Sequence, residues 1–197
     1  MTEKPDTKMD DKPFDPPRPL PGDRSMTTEI DRMVRVDHAG EFGAVRIYQG
    51  QLAVLGDRHP KSAMIRHMLA QEEVHLDRFN KLIKDRGVRP TALAPFWDVA
   101  GFALGAATAL MGEKAAMACT AAVEEVIDGH YQAQRDRLTA TNADPDFEET
   151  IAQFQAEEVE HRDTAIEHGA EETPGYAALS GAIKVGCRAA IWLAKRV

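Results

Sequence analysis

Along most of this chain, apolar side chains recur at steps of three or four residues, the period of an α-helix. A first helix is predicted from about Thr28 to Leu55, ending at Gly56-Asp57. A second starts near Pro60 and ends at Gly87, with Pro90 and Pro95 as breakers beyond it. A third stretch runs from near Pro95 to about Leu138, bent at Gly112. The segment Thr139 to Pro145 has turn chemistry, and another helix follows from about Asp146 to His168. Pro174 opens a last helix that reaches the C-terminus. No alternating strand pattern of useful length appears, so the predicted class is all-α. Residues 1–27 break the pattern: they hold six of the eleven prolines and few apolar residues. They are expected to form a disordered arm ahead of one helical domain over 28–197.

Following each apolar stripe exposes an anomaly. The stripe of the first helix reads Val34, Asp37, Glu41, Ala44, Tyr48; that of the second reads Leu69, Glu72, Leu76, Phe79. The fourth long helical segment gives Thr120, Glu124, Ile127, Tyr131, and the helix after the turn gives Phe154, Glu158, His161, Ala165. Each stripe carries a glutamate where an apolar residue belongs. Burying an ionised carboxylate costs several kcal/mol unless a cation compensates it.

Two of these glutamates are followed three residues later by histidine, as Glu72-x-x-His75 and Glu158-x-x-His161. Positions i and i+3 share a helix face, so both side chains can reach one metal ion. The heights agree as well. The midpoint of Glu41 and Glu72 is residue 56.5, and that of Glu124 and Glu158 is residue 141, each inside a predicted turn. In an antiparallel helix pair, residues equidistant from the turn sit at one level, here on the order of 20–25 Å from it. A four-helix bundle follows, with one glutamate on each of two helices and Glu-x-x-His on each of the others. This is the ligand set of ferritin-like di-metal carboxylate proteins.

Four carboxylates and two imidazoles suit iron or manganese better than a thiolate-seeking metal. Two divalent ions would balance four carboxylates. Glu72 and Glu158 are expected to bridge them, with Glu41 and Glu124 as terminal ligands and one histidine on each ion. His38, one turn before Glu41, is a candidate supporting residue. Tyr131 is either a core filler or a site residue. Glu73, Glu125, Glu157 and Glu160 are expected in surface salt bridges, and His59, His67 and His168 carry no specific role.

Composition narrows the class further. The formal charge is −8, which argues against a general nucleic-acid binder. Two cysteines, Cys119 and Cys187, cannot build a disulfide scaffold. No uncharged run reaches the length of a transmembrane helix. Residues 1–27 lack the features of a secretory signal or mitochondrial presequence, which points to a bacterial cytoplasmic protein. Residues 99–112 are uncharged and rich in small side chains, suited to a buried or interfacial helix beside a greasy substrate. The last helix sets Ile183, Cys187 and Ile191 beside Lys184 and Arg188, a pattern that can sit on an anionic membrane surface.

The segments Val36-Asp-His-Ala-Gly-Glu41, Glu72-Glu-Val-His75, Val123-Glu-Glu-Val-Ile-Asp-Gly-His-Tyr131 and Glu157-Glu-Val-Glu-His161 resemble the demethoxyubiquinone hydroxylase family of ubiquinone biosynthesis. The resemblance extends from about Ile30 to the C-terminus. It implies a di-iron monooxygenase that hydroxylates a polyprenylated methoxy-methyl-benzoquinol with dioxygen. It carries over Glu41, Glu72, His75, Glu124, Glu158 and His161 as iron ligands, and His130 and Tyr131 as residues of electron delivery. It further implies an external reductant such as NADH, other ubiquinone-biosynthesis proteins as partners, and a peripheral position on the cytoplasmic face of the inner membrane. Homo-oligomerisation is left open. The competing expectations are another ferritin-like di-iron oxidase or hydroxylase, and an iron-storage or peroxide-scavenging protein.

Overall fold

A computed structural model describes residues 25–197; most of the proline-rich arm, residues 1–24, lies outside the described residues. The described chain is all helix and connection, as the periodicity predicts. It comprises α1 (Met26–Leu55), α2 (Ser62–Arg86), α3 (Ala94–Leu110), α4 (Glu113–Thr141), α5 (Pro145–Glu167), a 3₁₀ turn (Ala170–Glu172) and α6 (Tyr176–Ala194). The helix starts and stops follow from local chemistry. Ser25 caps α1 by accepting the Thr28 backbone N–H at 3.2 Å, which starts the helix two residues earlier than its apolar stripe predicts. Gly87 ends α2 in the left-handed conformation. Asp144 caps α5 through the Phe147 N–H at 3.0 Å, with Pro145 at its first turn.

One element differs from expectation. The stretch from Pro95 to Leu138 is two helices, not one bent helix. Gly112 adopts φ 121°, a backbone conformation that only glycine takes readily, and the chain reverses there. Helices α1, α2, α4 and α5 form the bundle, while α3 lies along α1 and α6 along α4. The α1–α3 contact is backbone on backbone. A Cβ on Gly105 would fall 1.9 Å from the Ile47 carbonyl oxygen, and one on Gly50 would fall 2.2 Å from that of Phe102.

The bundle interior is divided into two apolar layers. One gathers Tyr48, Ile65, Met68, Met117, Ala121 and Ala165. The other gathers Val34, Phe79, Tyr131, Leu138, Ile151 and Phe154. On every bundle helix, the glutamate from the apolar stripe lies between a residue of the first layer and one of the second. The fold therefore holds a polar layer clamped between two hydrophobic ones.

Candidate metal centre

The four stripe glutamates and the two histidines that follow Glu72 and Glu158 by three residues are all buried: Glu41, Glu72, His75, Glu124, Glu158 and His161. They converge into two overlapping groups. Glu41, Glu72, His75 and Glu158 each offer an atom within 4.8 Å of the others, and so do Glu72, Glu124, Glu158 and His161. Glu72 and Glu158 belong to both groups. The Nδ1 atom of His75 lies 3.3 Å from Glu41 and 3.2 Å from Glu158. The Nδ1 atom of His161 lies 3.1 Å from Glu72 and 3.4 Å from Glu158.

The outer ring nitrogens are held differently. His75 Nε2 is 2.8 Å from a carboxylate oxygen of Glu157, and His161 Nε2 is 3.0 Å from the amide oxygen of Gln71. With a metal bound, an N–H on each Nε2 would donate outward and leave each Nδ1 lone pair facing the carboxylates, the arrangement expected of metal-binding imidazoles. Phe154 stacks on the His75 ring at 3.9 Å between centroids and fixes its plane. Glu157 was expected in a surface salt bridge; its carboxylate instead turns inward onto His75. Glu125 does lie at the surface, paired with Lys184 at 2.6 Å.

The donor set has the chemistry of a cation site. Both oxygens of Glu72, one each of Glu41 and Glu158, and Nδ1 of both histidines are buried without a hydrogen-bond partner. Buried polar atoms are normally paired, so six orphans facing one another mark a place for positive charge. The proton affinities carry the same message. Desolvation and the neighbouring carboxylates push Glu72 and Glu124 well above the ordinary range, and desolvation pushes Glu41 up. Glu158 is also desolvated, yet the close imidazoles of His161 and His75 hold it down at about 2. Burial disfavours a charged His75, but its contacts with Glu158 and Glu41 raise it to about 11. Two imidazoles cannot neutralise four carboxylates; two divalent ions can.

Two tyrosines trim the site. Tyr48 donates its hydroxyl to Glu124 at 2.8 Å, and Tyr131 donates to Glu41. Tyr131 thus touches the carboxylate cluster while belonging to the second apolar layer. His130 does not reach the carboxylate cluster directly; its Nε2 lies 3.2 Å from buried Asp37. His38 turns to Asn80 at 3.0 Å. Tyr48, Gln71, Glu157 and Asp37 are the contacts that periodicity did not single out. Only Asp37 and Tyr48 left a trace there, as polar side chains on the α1 stripe.

An apolar cavity of about 540 Å³ opens beside the centre, between α1, α3, α4 and α6. Its walls include Gly40 and Ala44, which bracket Glu41, and Val123, which precedes Glu124. Ile127, Trp97 and Ile191 complete its apolar character. Cys187 lines it as well.

Comparison with known proteins agrees with this geometry. The family model for ubiquinone biosynthesis protein COQ7 matches residues 28–194. A 3-demethoxyubiquinol 3-hydroxylase of Rhodospirillum rubrum is 60% identical over 178 residues, covering 90% of this chain and 83% of that protein. The human mitochondrial NADPH-dependent 3-demethoxyubiquinone 3-hydroxylase is 51% identical, covering 85% of this chain and 78% of that protein. The mitochondrial 5-demethoxyubiquinone hydroxylase of Saccharomyces cerevisiae is 41% identical, covering all of this chain and 91% of that protein. The chain belongs to the COQ7 family of ubiquinone biosynthesis proteins.

Proposed function

We propose that this protein is the hydroxylase that adds oxygen to the ring of a polyprenylated demethoxyubiquinol in ubiquinone biosynthesis, using dioxygen at a di-iron centre. The observation that carries this reading is the pair of overlapping ligand groups sharing Glu72 and Glu158, in a chain 60% identical to a demethoxyubiquinol hydroxylase. Glu41, Glu72, His75, Glu124, Glu158 and His161 would hold the two irons, with Glu72 and Glu158 common to both ligand groups. Hard carboxylate oxygens with two imidazoles favour iron over a closed four-coordinate zinc site. The iron pair supplies the activation of dioxygen. The protein fixes the ligands, excludes water with its two apolar layers, and receives the quinol.

The substrate's polyprenyl chain runs in the apolar cavity, whose walls touch the residues flanking Glu41 and Glu124. The outer side of that cavity supports a peripheral membrane position. Phe96 and Val99 on α3, Met111 at its end, and Val185 and Trp192 on α6 are all more than half exposed. α6 is apolar and long enough to cross a membrane by length and composition, yet Lys184 and Arg188 interrupt it and Lys184 ties it to Glu125 on α4. An exposed apolar face rimmed by cations suits an anionic lipid surface, here the cytoplasmic side of the inner membrane. Electrons come from an external dihydronicotinamide donor, with His130 and Tyr131 on the delivery side. Other ubiquinone-biosynthesis proteins share that membrane face.

Complementation tests the reading. In a bacterial strain lacking its own hydroxylase, the wild-type chain restores ubiquinone and removes the demethoxy precursor; the Glu158→Ala chain restores neither. A strain that keeps accumulating the precursor while expressing folded wild-type protein contradicts it.

A further inference from the structure

Outside the metal centre, the described residues include one more buried carboxylate, Asp37, only 3% exposed. Its Oδ1 accepts an N–H from Gln134 at 2.6 Å and lies 3.2 Å from His130 Nε2. Its Oδ2 is buried with no partner. Gln134 Nε2 also lies 2.9 Å from His130 Nε2. This triangle gives His130 a partner in either protonation state. With a proton on Nε2, the ring donates to Asp37; without it, Nε2 accepts the second amide hydrogen of Gln134. Nε2 thus has a partner in both states, so the ring can take up and release a proton at low cost.

The outer side of the triangle opens on a cleft. His130 and Gln134 line a cleft of about 250 Å³, whose rim carries Arg32, Arg137 and Lys195. Along α1, the triangle stands one turn from the metal centre. Asp37 and Glu41 are four residues apart on α1, hence on one face and one turn apart. Glu41 in turn accepts the Tyr131 hydroxyl. The groups that act on Asp37 are His130 and Gln134 of α4 at contact, and Lys195 beyond α6 at longer range. Burial pushes the Asp37 carboxyl up, while these three oppose it.

We propose that His130 and Asp37 form a proton relay from this cleft to the Glu41 side of the carboxylate layer. The inference rests on the hydroxylase reading. Hydroxylation inserts one atom of dioxygen into a ring C–H bond and releases the other as water. The balance takes two electrons, from the dihydronicotinamide donor, and two protons. His130 collects each proton at the cleft, passes it to Asp37 Oδ1, and is reprotonated from solvent. Asp37 presents it on the inner side through Oδ2, after carboxyl rotation.

Three variants test the relay: Asp37→Asn, Asp37→Glu and His130→Ala. The iron-loaded proteins are first compared by metal content and melting temperature, then by turnover with the quinol, a dihydronicotinamide and dioxygen. Asp37→Asn is expected to keep iron but lose about 100-fold in turnover, the scale of a lost proton-transfer group. Asp37→Glu recovers most of it, and added imidazole, entering the cleft, accelerates His130→Ala. A second readout needs no turnover. In anaerobic iron-loaded protein after a pH jump, the infrared carboxyl band that Asp37→Asn lacks should follow the jump about tenfold more slowly in His130→Ala than in wild type. Wild-type turnover in Asp37→Asn, no imidazole rescue of folded His130→Ala, or an unchanged infrared rate overturns the relay. If Asp37→Asn fails to fold or load iron, the other two variants decide. A wild-type protein that makes no hydroxylated quinol overturns the hydroxylase reading instead, and the infrared arm still decides the relay.

Discussion

Replacing Gly105 by alanine should damage substrate binding and stability while sparing the metal centre. The added Cβ would fall 1.9 Å from the Ile47 carbonyl oxygen, 2.8 Å from its carbon and 3.0 Å from its Cα. Ordinary van der Waals contact begins at about 3.4 Å, so α3 and α1 must separate locally by about 1.5 Å. Every atom it meets is backbone, so no side chain can rotate away. Overpacking of this kind costs about 1–3 kcal/mol, and the rigid neighbours place this case at the upper end. For a chain of this size, about 3 kcal/mol lowers Tm by roughly 6–12 °C. None of the six proposed ligands lies on α3, so iron content should stay at wild-type level. Gly101 and Leu104 of α3 line the apolar cavity, so a shifted helix deforms its wall. The expected kinetic signature is a raised KM for the quinol with iron unchanged. Calorimetry, iron analysis and steady-state kinetics check all three. An unchanged Tm would refute the backbone-contact argument, and loss of iron would refute the independence of α3 from the centre.

Glu157→Gln removes the charge behind His75 while keeping its shape; by the usual effect of such partners, iron affinity should fall about 10–100-fold, read by competition with a chelator. Tyr48→Phe strips Glu124 of its hydroxyl partner and should cost about 1–3 kcal/mol in unfolding free energy. Removing the metal should reverse the pH dependence of stability. Glu41, Glu72 and Glu124 are raised in the folded state and His75 is raised to about 11, so the metal-free fold binds more protons than the unfolded chain. Its stability therefore falls as pH rises above the ordinary carboxylate value, and the His75 share is lost as pH climbs from 6.5 toward 11. Glu158, held at about 2, has the opposite sign but acts only below about pH 4.5. Metal binding needs deprotonated ligands, so the Tm gap between loaded and metal-free protein should widen from about pH 5 to 8. A gap that narrows contradicts the assignment.

The bundle and its charged layer were legible because burial penalises charge so heavily. A glutamate on each of four apolar stripes, at matching distances from two turns, leaves few alternatives, and these residues do converge. Glycine chemistry was harder to read. The sequence pattern reads Gly112 as a bend, whereas its φ of 121° in the fold accompanies a full break into α3 and α4. Gly50 and Gly105 carried no signal, since close helix contact depends on a partner that one helix's sequence does not name. The second partners of the imidazoles were hidden for a similar reason. Glu157 sits beside Glu158 in an acidic run and looks like solvated surface; its inward turn is decided by His75, 82 residues away. Asp37 stood on a stripe already, but its meaning depended on His130 and Gln134 from α4.

The most direct test of the central claim is isotope transfer in a purified system. Iron-loaded protein, demethoxyubiquinol, a dihydronicotinamide and ¹⁸O-labelled dioxygen are combined, and the quinone products are weighed by mass spectrometry. The account predicts about two irons per chain and one labelled oxygen in each hydroxylated ring, with no product from Glu158→Ala. Fully metallated protein that consumes dioxygen yet leaves the ring unlabelled would contradict it.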